Sequence, residues 1–540
     1  MMKAMMQRIK CIAIVAMAVV GVVSCIKNDI PHPVVKLDIL TLVAEGTIGE
    51  AHIDATAHTV DLVLEETTDI RNVNITEVTM TEGAQSSVTF PGRFDLRHPL
   101  YVVLSMYQDY EWTIAAEQTI ERYFRVEGQI GESVIDPINH VATAYVPMDA
   151  DLNAVNITAV KLGPKDITAY APDPLSLTSF DNSVRHVTVS YHGDIEEMWT
   201  LCVVPTDVEV TFTSVDAWAK RIWLYAEGRS GVDLGFRYRK TGDEEWTAVN
   251  DITVNGGSFS ACIEGLEPLT SYDVIAFSGE NITPIKTVTT EDTYTLLNGG
   301  MEDWSFADKC YFPYADGAAP FWGTGNPGAT TLGDAYNLTT PSTSDIRPGT
   351  LGTTSANLQS MFPNMAGIGK FAAGNIFLGR FAGTIGTNGI VHFGRPTSAR
   401  PVALHGWVKY DQGTIDKVGK LPASRPDLAV GSPDEGQILI AVGDWTAEEY
   451  GGDADSPVAI DTRDENTFFN KNSAAVIGVG EMLITESTDG WYEFTLPLEY
   501  KSTSRIPTHM VIVFTCSRFG DYFTGSTQSK MVVDDVELIF

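Results

Sequence analysis

Apolar and polar residues alternate in short runs along nearly the whole chain, and that spacing predicts strands. Stretches such as Trp112-Thr113-Ile114, Arg221-Ile222-Trp223-Leu224 and Gln437-Ile438-Leu439-Ile440-Ala441-Val442 are of this kind, and Val, Ile, Thr and Tyr recur in them. Gly, Pro, Asn and Asp interrupt the runs, and no long helical period appears. A chain of 540 residues exceeds one hydrophobic core and predicts three to five domains, all of β type. One apolar run differs. Cys11 to Val23 carries no charge and follows Lys3, Arg8 and Lys10, the basic-then-apolar order of a secretory signal, too short for a permanent membrane span.

An internal repeat divides the first part of the chain. Gly46-Thr47-Ile48-Gly49-Glu50 returns as Gly128-Gln129-Ile130-Gly131-Glu132, and at the same offset Ile53-Asp54, His58 and Val73-Asn74-Ile75-Thr76 meet Ile135-Asp136, His140 and Val155-Asn156-Ile157-Thr158. Trp112-Thr113-Ile114 then finds its counterpart in Trp199-Thr200-Leu201 after a small insertion. Duplication of a strand-rich unit predicts two tandem immunoglobulin-like sandwiches, at 33–124 and 125–208. His58 and His140 are read as structural positions that duplication preserved, not as a metal pair.

Residues 209–292 resemble a fibronectin type III domain. Trp223 stands where that fold has a buried tryptophan, and Phe236–Lys240 with Trp246 matches its middle strands. Gly265-Leu266-Glu267-Pro268-Leu269-Thr270-Ser271-Tyr272 places Tyr272 at a sheet corner, where its hydroxyl satisfies a backbone group. The expected role is that of a spacer.

The span 293–540 is rich in Gly, Pro, Thr, Asn and Ala between Gly299 and Gly406, which predicts a sandwich with long ordered loops. Asn298-Gly299-Gly300-Met301-Glu302-Asp303-Trp304 opens it and Val532-Val533-Asp534-Asp535-Val536-Glu537-Leu538 closes it. This pairing resembles the jelly-roll carbohydrate-binding modules of the galactose-binding-like fold, in which the terminal strands are adjacent and often share a structural calcium. The resemblance implies Glu302 and Asp534 as Ca2+ ligands, with Asp535 as the substitute. Strand alternation puts Val532, Asp534, Val536 and Leu538 on one face, where a carboxylate requires a partner: a cation, or else a backbone or arginine group. Inside the span, Phe371–Phe381, Phe393-Gly394-Arg395-Pro396 and Arg400–Tyr410 resemble motifs of the Putative Carbohydrate Metabolism Domain family, found in lipoproteins of Bacteroidetes. The fold class expected is therefore all-β and multidomain: three small immunoglobulin/fibronectin-like sandwiches followed by a larger jelly-roll β-sandwich.

The segment Val22-Val23-Ser24-Cys25 resembles a lipobox, which implies a signal peptide at 1–24, lipidation of Cys25, and a short linker at 25–32. No aspartate follows Cys25 directly, and the resemblance then implies an outer-membrane lipoprotein at the cell surface, held by its acyl chains. A net charge of −34 disfavours nucleic acid and anionic lipid as partners and suits a neutral ligand. Cys202, Cys262, Cys310 and Cys516 are far apart with no metal spacing, and are read as small hydrophobes.

Binding a neutral polysaccharide or oligosaccharide needs flat rings for sugar faces and planar polar groups for hydroxyls. Trp322, in the loop-like Pro320–Pro327, is the first candidate, with Asn326, Arg380 and Arg395 as hydrogen-bonding groups. On Leu404–Tyr410 alternation sends Leu404, Val408 and Tyr410 to the core and His405, Trp407 and Lys409 to the open face, which makes Trp407 a second ring platform. Trp304 and Trp491 are expected in the core. Glycoside hydrolysis would need two facing carboxylates, for which Asp411, Asp444, Glu448, Glu449 and Asp489 are available without a recognisable motif. Binding is thus preferred to catalysis. The alternatives are a glycoside hydrolase and a structural or adhesin stalk; protein partners in a glycan-utilisation system are expected beside the saccharide.

Overall fold

A computed structural model describes residues 35–540 except 182–183, 366–367 and 423. The signal segment and Cys25 lie outside the described residues. The chain is almost entirely strand, as its alternation predicts, and divides into two compact units, one ending at Ile120 and one running from Glu121 to Phe540. Among the described residues no helix is long and apolar enough to cross a membrane.

In the first unit, Ile39–Ala44, Val73–Met80 and Gly92–Phe94 form one sheet, and a five-stranded sheet around Thr59–Leu64 and Asp109–Gln118 forms the other. Leu42 and Ile75 from one sheet share a core with Val60, Leu62, Trp112 and Ile114 from the other. The second repeat builds its larger sheet in the same way. Thr59–Leu64 runs parallel to Asp109–Gln118 in the first, and Val141–Pro147 parallel to Ile195–Thr206 in the second. The strand Tyr123–Val126, which straddles the expected junction at 124/125, pairs with Ile157–Lys161 and so is part of the second repeat. The paired histidines have a backbone reason. His58 and His140 both take a left-handed conformation, with φ of 53° and 54°. Each ring lies against the buried tryptophan of its own repeat, Trp112 at 5.2 Å and Trp199 at 5.3 Å.

Residues 210–289 form two further sheets, one centred on Arg221–Gly228 and Ser258–Glu264, the other on Leu234–Lys240 and Ser271–Ser278. The Tyr272 hydroxyl accepts from the Glu267 amide at 3.1 Å, as its corner position predicts. Trp223 corrects the expectation of a core indole. Ile222, Leu224 and Ala226 face the core, so by alternation Trp223 faces away and packs edge-on against Trp218. Trp218 belongs to a joint with the C-terminal domain, where its indole N–H donates to the Thr503 carbonyl at 2.9 Å and its ring meets Tyr500. Arg400 is 4% exposed there, donating to Glu291 at 2.7 Å and to the Ala217 carbonyl at 2.9 Å. The junction with the second repeat is equally close: a Cβ on Gly257 would stand 2.5 Å from the Gly131 nitrogen.

The C-terminal domain is a sandwich of a nine-stranded and a five-stranded sheet. The larger sheet runs through Asn388–Phe393, Asn375–Ile385, His509–Thr515, Gly436–Gly443 and Val476–Ile484. The smaller is Thr339–Ser342, Ser355–Gln359, Lys530–Ile539, Ala403–Asp411 and Tyr492–Pro497. Ile376, Leu378, Ile438, Ile440, Ile512 and Phe514 meet Leu404, Val408, Tyr410, Met531, Val533 and Val536 in the core between them. Two expectations change. The opening segment at 298–304 is a turn and extended chain, not a strand, and touches the closing strand through the Val536 amide donating to the Gly299 carbonyl at 2.8 Å. The closing strand also carries a bulge: Asp535 has φ of 46°, and the pairing register with Ala403–Asp411 shifts between His405 and Trp407. The core face is therefore Met531, Val533, Val536 and Leu538, and Asp534 lies off it.

Candidate functional site

The residues that the sequence nominates for sugar binding do not converge. Trp322 is fully buried in the core, pairs across to Leu378, and donates its indole N–H to the Leu297 carbonyl at 2.8 Å, so it presents no ring to solvent. Asn326 is also fully buried: its amide donates to the Tyr311 and Thr339 carbonyls and accepts from the Thr339 amide, closing the loop on itself. Arg395 is buried and spends its guanidinium on the carbonyls of Phe321 and Gly379 and the Ser456 hydroxyl. Arg380 is half-exposed and pairs with Asp453, which His392 also contacts at 3.1 Å. Burial works upward on Asp453, but those partners outweigh it and hold the carboxyl far below its usual range. Trp407 is half-buried, and the Arg347 guanidinium lies over its ring at 5.0 Å where a sugar would stack. Trp304 packs against the core, while Trp491 is half-buried at the edge of the smaller sheet.

Glu302 and Asp534, the ligands that the resemblance implies for calcium, have different surroundings in the structure. Both Glu302 oxygens accept from the Thr353 amide at 2.9 Å, with the Thr354 amide and Thr353 hydroxyl adding to them. Burial raises its pKa, and these donors more than reverse that. Asp535, the substitute ligand, is salt-bridged to Arg347. Asp534 is fully buried with one carboxylate oxygen unpartnered, and burial followed by the charge of Asp535 pushes its pKa up to about 6. Such a carboxyl keeps its proton to a higher pH than an exposed one. Among the described residues no three His, Cys, Asp or Glu side chains are grouped to hold a metal ion.

A different region has the form of a ligand site. Toward one end of the larger sheet, the outer face is packed: Phe377, Phe393, Ala441 and Val511 cluster with Trp445, Val458 and Ile460. Toward the other end the same face opens into a cavity of about 510 Å³, floored by Gln437, Leu439, Val513 and Thr515. Its walls come from loops. A bulge between Phe381 and Gly383 re-aims Phe381 toward the opening. The turn Gly520–Tyr522 ends on Phe523 in a left-handed conformation, φ 57°, which places that ring on the rim. Phe468 and Phe469 enter from the opposite loop, Phe468 edge-on to Tyr522 at 5.0 Å. The loop bearing Phe519 to Phe523 is tied down by the fully buried Asp434, whose carboxylate accepts from Ser517 at 2.6 Å, Ser529 at 2.7 Å and the Ser526 amide at 2.8 Å. Burial nevertheless raises the pKa of Asp434.

Half-buried aromatic rings beside amide and hydroxyl groups are the composition that saccharide recognition requires. Two carboxylates line the cavity among the described residues, Glu481 and Asp521. Burial acts to raise Glu481, but Lys471 and Gln437 outweigh it and keep the carboxylate charged. A group so committed is a poor proton donor. The carboxylates nominated from sequence, Asp411, Asp444, Glu448, Glu449 and Asp489, do not line the cavity. Sequence reading missed Phe468, Phe469, Tyr522 and Phe523. The available signal was Phe468-Phe469 between Thr467 and Asn470, an apolar pair in a polar stretch.

Residues 301–539 match the model of the family described as a putative carbohydrate metabolism domain, the family that the motifs of this span resemble. The chain is also similar to two solved structures described as putative glycoside hydrolases. One, from Bacteroides thetaiotaomicron, is 15% identical over 94% of this chain and 98% of its own, with a TM-score of 0.31. The other, from Bacteroides vulgatus, is 20% identical over 44% of this chain and 96% of its own, with a TM-score of 0.33. No curated protein matches.

Proposed function

We propose that this protein is a surface lipoprotein that holds a glycan in the cavity on the outer face of the larger C-terminal sheet, with the preceding sandwiches as its support. The observation that carries the reading is the set of half-buried rings, Phe381, Phe468, Phe469, Tyr522 and Phe523, around a polar floor of Gln437 and Thr515. Rings of this kind cover the apolar faces of sugars, while amide and hydroxyl groups select the hydroxyl pattern. The match of residues 301–539 to a carbohydrate-related family supports the ligand class. Anchoring rests on Cys25 and its lipobox-like flank.

A glycan array probed with the full chain tests the reading. Retention of at least one oligosaccharide is expected, with Phe468→Ala weakening it about tenfold at unchanged melting temperature, since a lost stacked ring is worth roughly 1–1.5 kcal/mol. Silence across the array would favour a stalk. Release of reducing sugar, abolished by Asp521→Asn, would favour a hydrolase.

A further inference from the structure

Adjoining the cavity, and sharing Lys370, Phe371 and Phe523 with it, is a second hollow of about 460 Å³. Its lining includes Lys370, Lys417, Lys420 and Arg463, and no carboxylate. In a chain with 70 acidic and 36 basic residues this is a local reversal of sign. The counterions are not part of the lining. Lys417 pairs with Asp416 at 3.1 Å, Lys420 with Glu465 at 3.0 Å and Arg463 with Asp461 at 2.6 Å. Asp416 is further committed to the amide and hydroxyl of Thr527, at 2.8 and 2.7 Å. Lys370 makes no ion pair among the described residues. Its ammonium donates to the Asn388 side-chain carbonyl at 2.7 Å and lies 3.9 Å from the centre of the Phe523 ring.

Three of the four cations have a carboxylate partner, and Lys370, at the point where the two hollows meet, has none among the described residues. Burial, and then the neighbouring charge of Lys420, lower the pKa of Lys370. An incoming anion relieves both costs, because it supplies the missing partner and screens the two ammonium groups from each other. Asn388 and Thr462 add polar groups to the same wall.

We propose that this hollow is the anionic subsite of the glycan cavity, which takes the carboxylate or sulfate of an acidic sugar while the neighbouring residues of the same oligosaccharide lie against the rings. The inference rests on the glycan-binding reading and revises its ligand from a neutral saccharide to one bearing acidic units. Acidic sugars are distinguished here by local complementarity, since the protein as a whole repels polyanions.

Affinity gel electrophoresis of the full chain tests it, with polygalacturonate, fully methyl-esterified polygalacturonate, carrageenan, xylan and β-glucan in the gel. Retardation by polygalacturonate or carrageenan is expected, and the two together separate carboxylate from sulfate. A Lys370→Gln/Lys420→Gln variant with the wild-type melting temperature should lose roughly tenfold in that retardation, and Phe468→Ala should weaken it as well. Retardation by neutral polysaccharides alone, or by acidic ones undiminished in the lysine variant, would overturn the acidic subsite and leave the cavity reading standing. No retardation by any of the five, with an empty glycan array, would remove both.

Discussion

At Trp322 one residue type had two physical outcomes, and its neighbours decided between them. A tryptophan among Pro and Gly reads as a loop ring for a ligand, yet Trp322 reaches a carbonyl at Leu297 and a strand partner at Leu378. Neither partner is visible in the local sequence. Trp322→Ala should therefore lower stability by about 3–5 kcal/mol in urea unfolding, the cost of emptying an indole from a packed core. A variant that unfolds like wild type but binds no glycan would contradict this placement. The same logic explains why Phe468 and Phe469 escaped notice. Ring-bearing loops have no period to read, and these two gain meaning only through Tyr522, which the fold brings to Phe468 from far along the chain.

At the scale of elements, strands were legible and their irregularities were not. Alternation correctly sent Leu404, Val408 and Tyr410 to the core and left Trp407 and Lys409 outside it. The same rule failed on the closing strand, because one left-handed residue, Asp535, shifts the faces and moves Asp534 off the core. Asp534 then carries a testable pH dependence. Its folded pKa, about 6, lies above the ordinary 3.8, so the folded protein keeps the proton longer than the unfolded chain does. The contribution of Asp534 to stability is complete below about pH 4, is lost as pH rises through 6, and is level above that, a difference of roughly 3 kcal/mol. Melting curves of Asp534→Asn should lack this fall, and chelator should leave wild type unchanged. A calcium-dependent rise in melting temperature would show that a cation neutralises this carboxyl after all.

Across the molecule, the repeat predicted a matched architecture, and His58 and His140 reproduce each other's geometry to within a degree of φ. How the domains join was beyond reach, because Trp218, Arg400, Glu291 and Thr503 meet only in three dimensions. The Arg400–Glu291 pair is buried on the arginine side, and removing one partner of such a pair costs about 3–5 kcal/mol. Calorimetry of Arg400→Ala should therefore show residues 209–292 melting apart from the C-terminal domain, where wild type melts them together. Separate transitions in wild type would mean that the joint transmits no stability.

The middle strand of the smaller C-terminal sheet, Lys530–Ile539, is the last strand of its domain in chain order, and it pairs with Ser355–Gln359 and Ala403–Asp411 from far upstream. A polypeptide emerging from the ribosome thus makes both flanks long before the piece that joins them. Until it arrives the sheet has a gap at its centre, and closing so long a loop is slow. The smaller sheet is consequently the last part of this domain that can close.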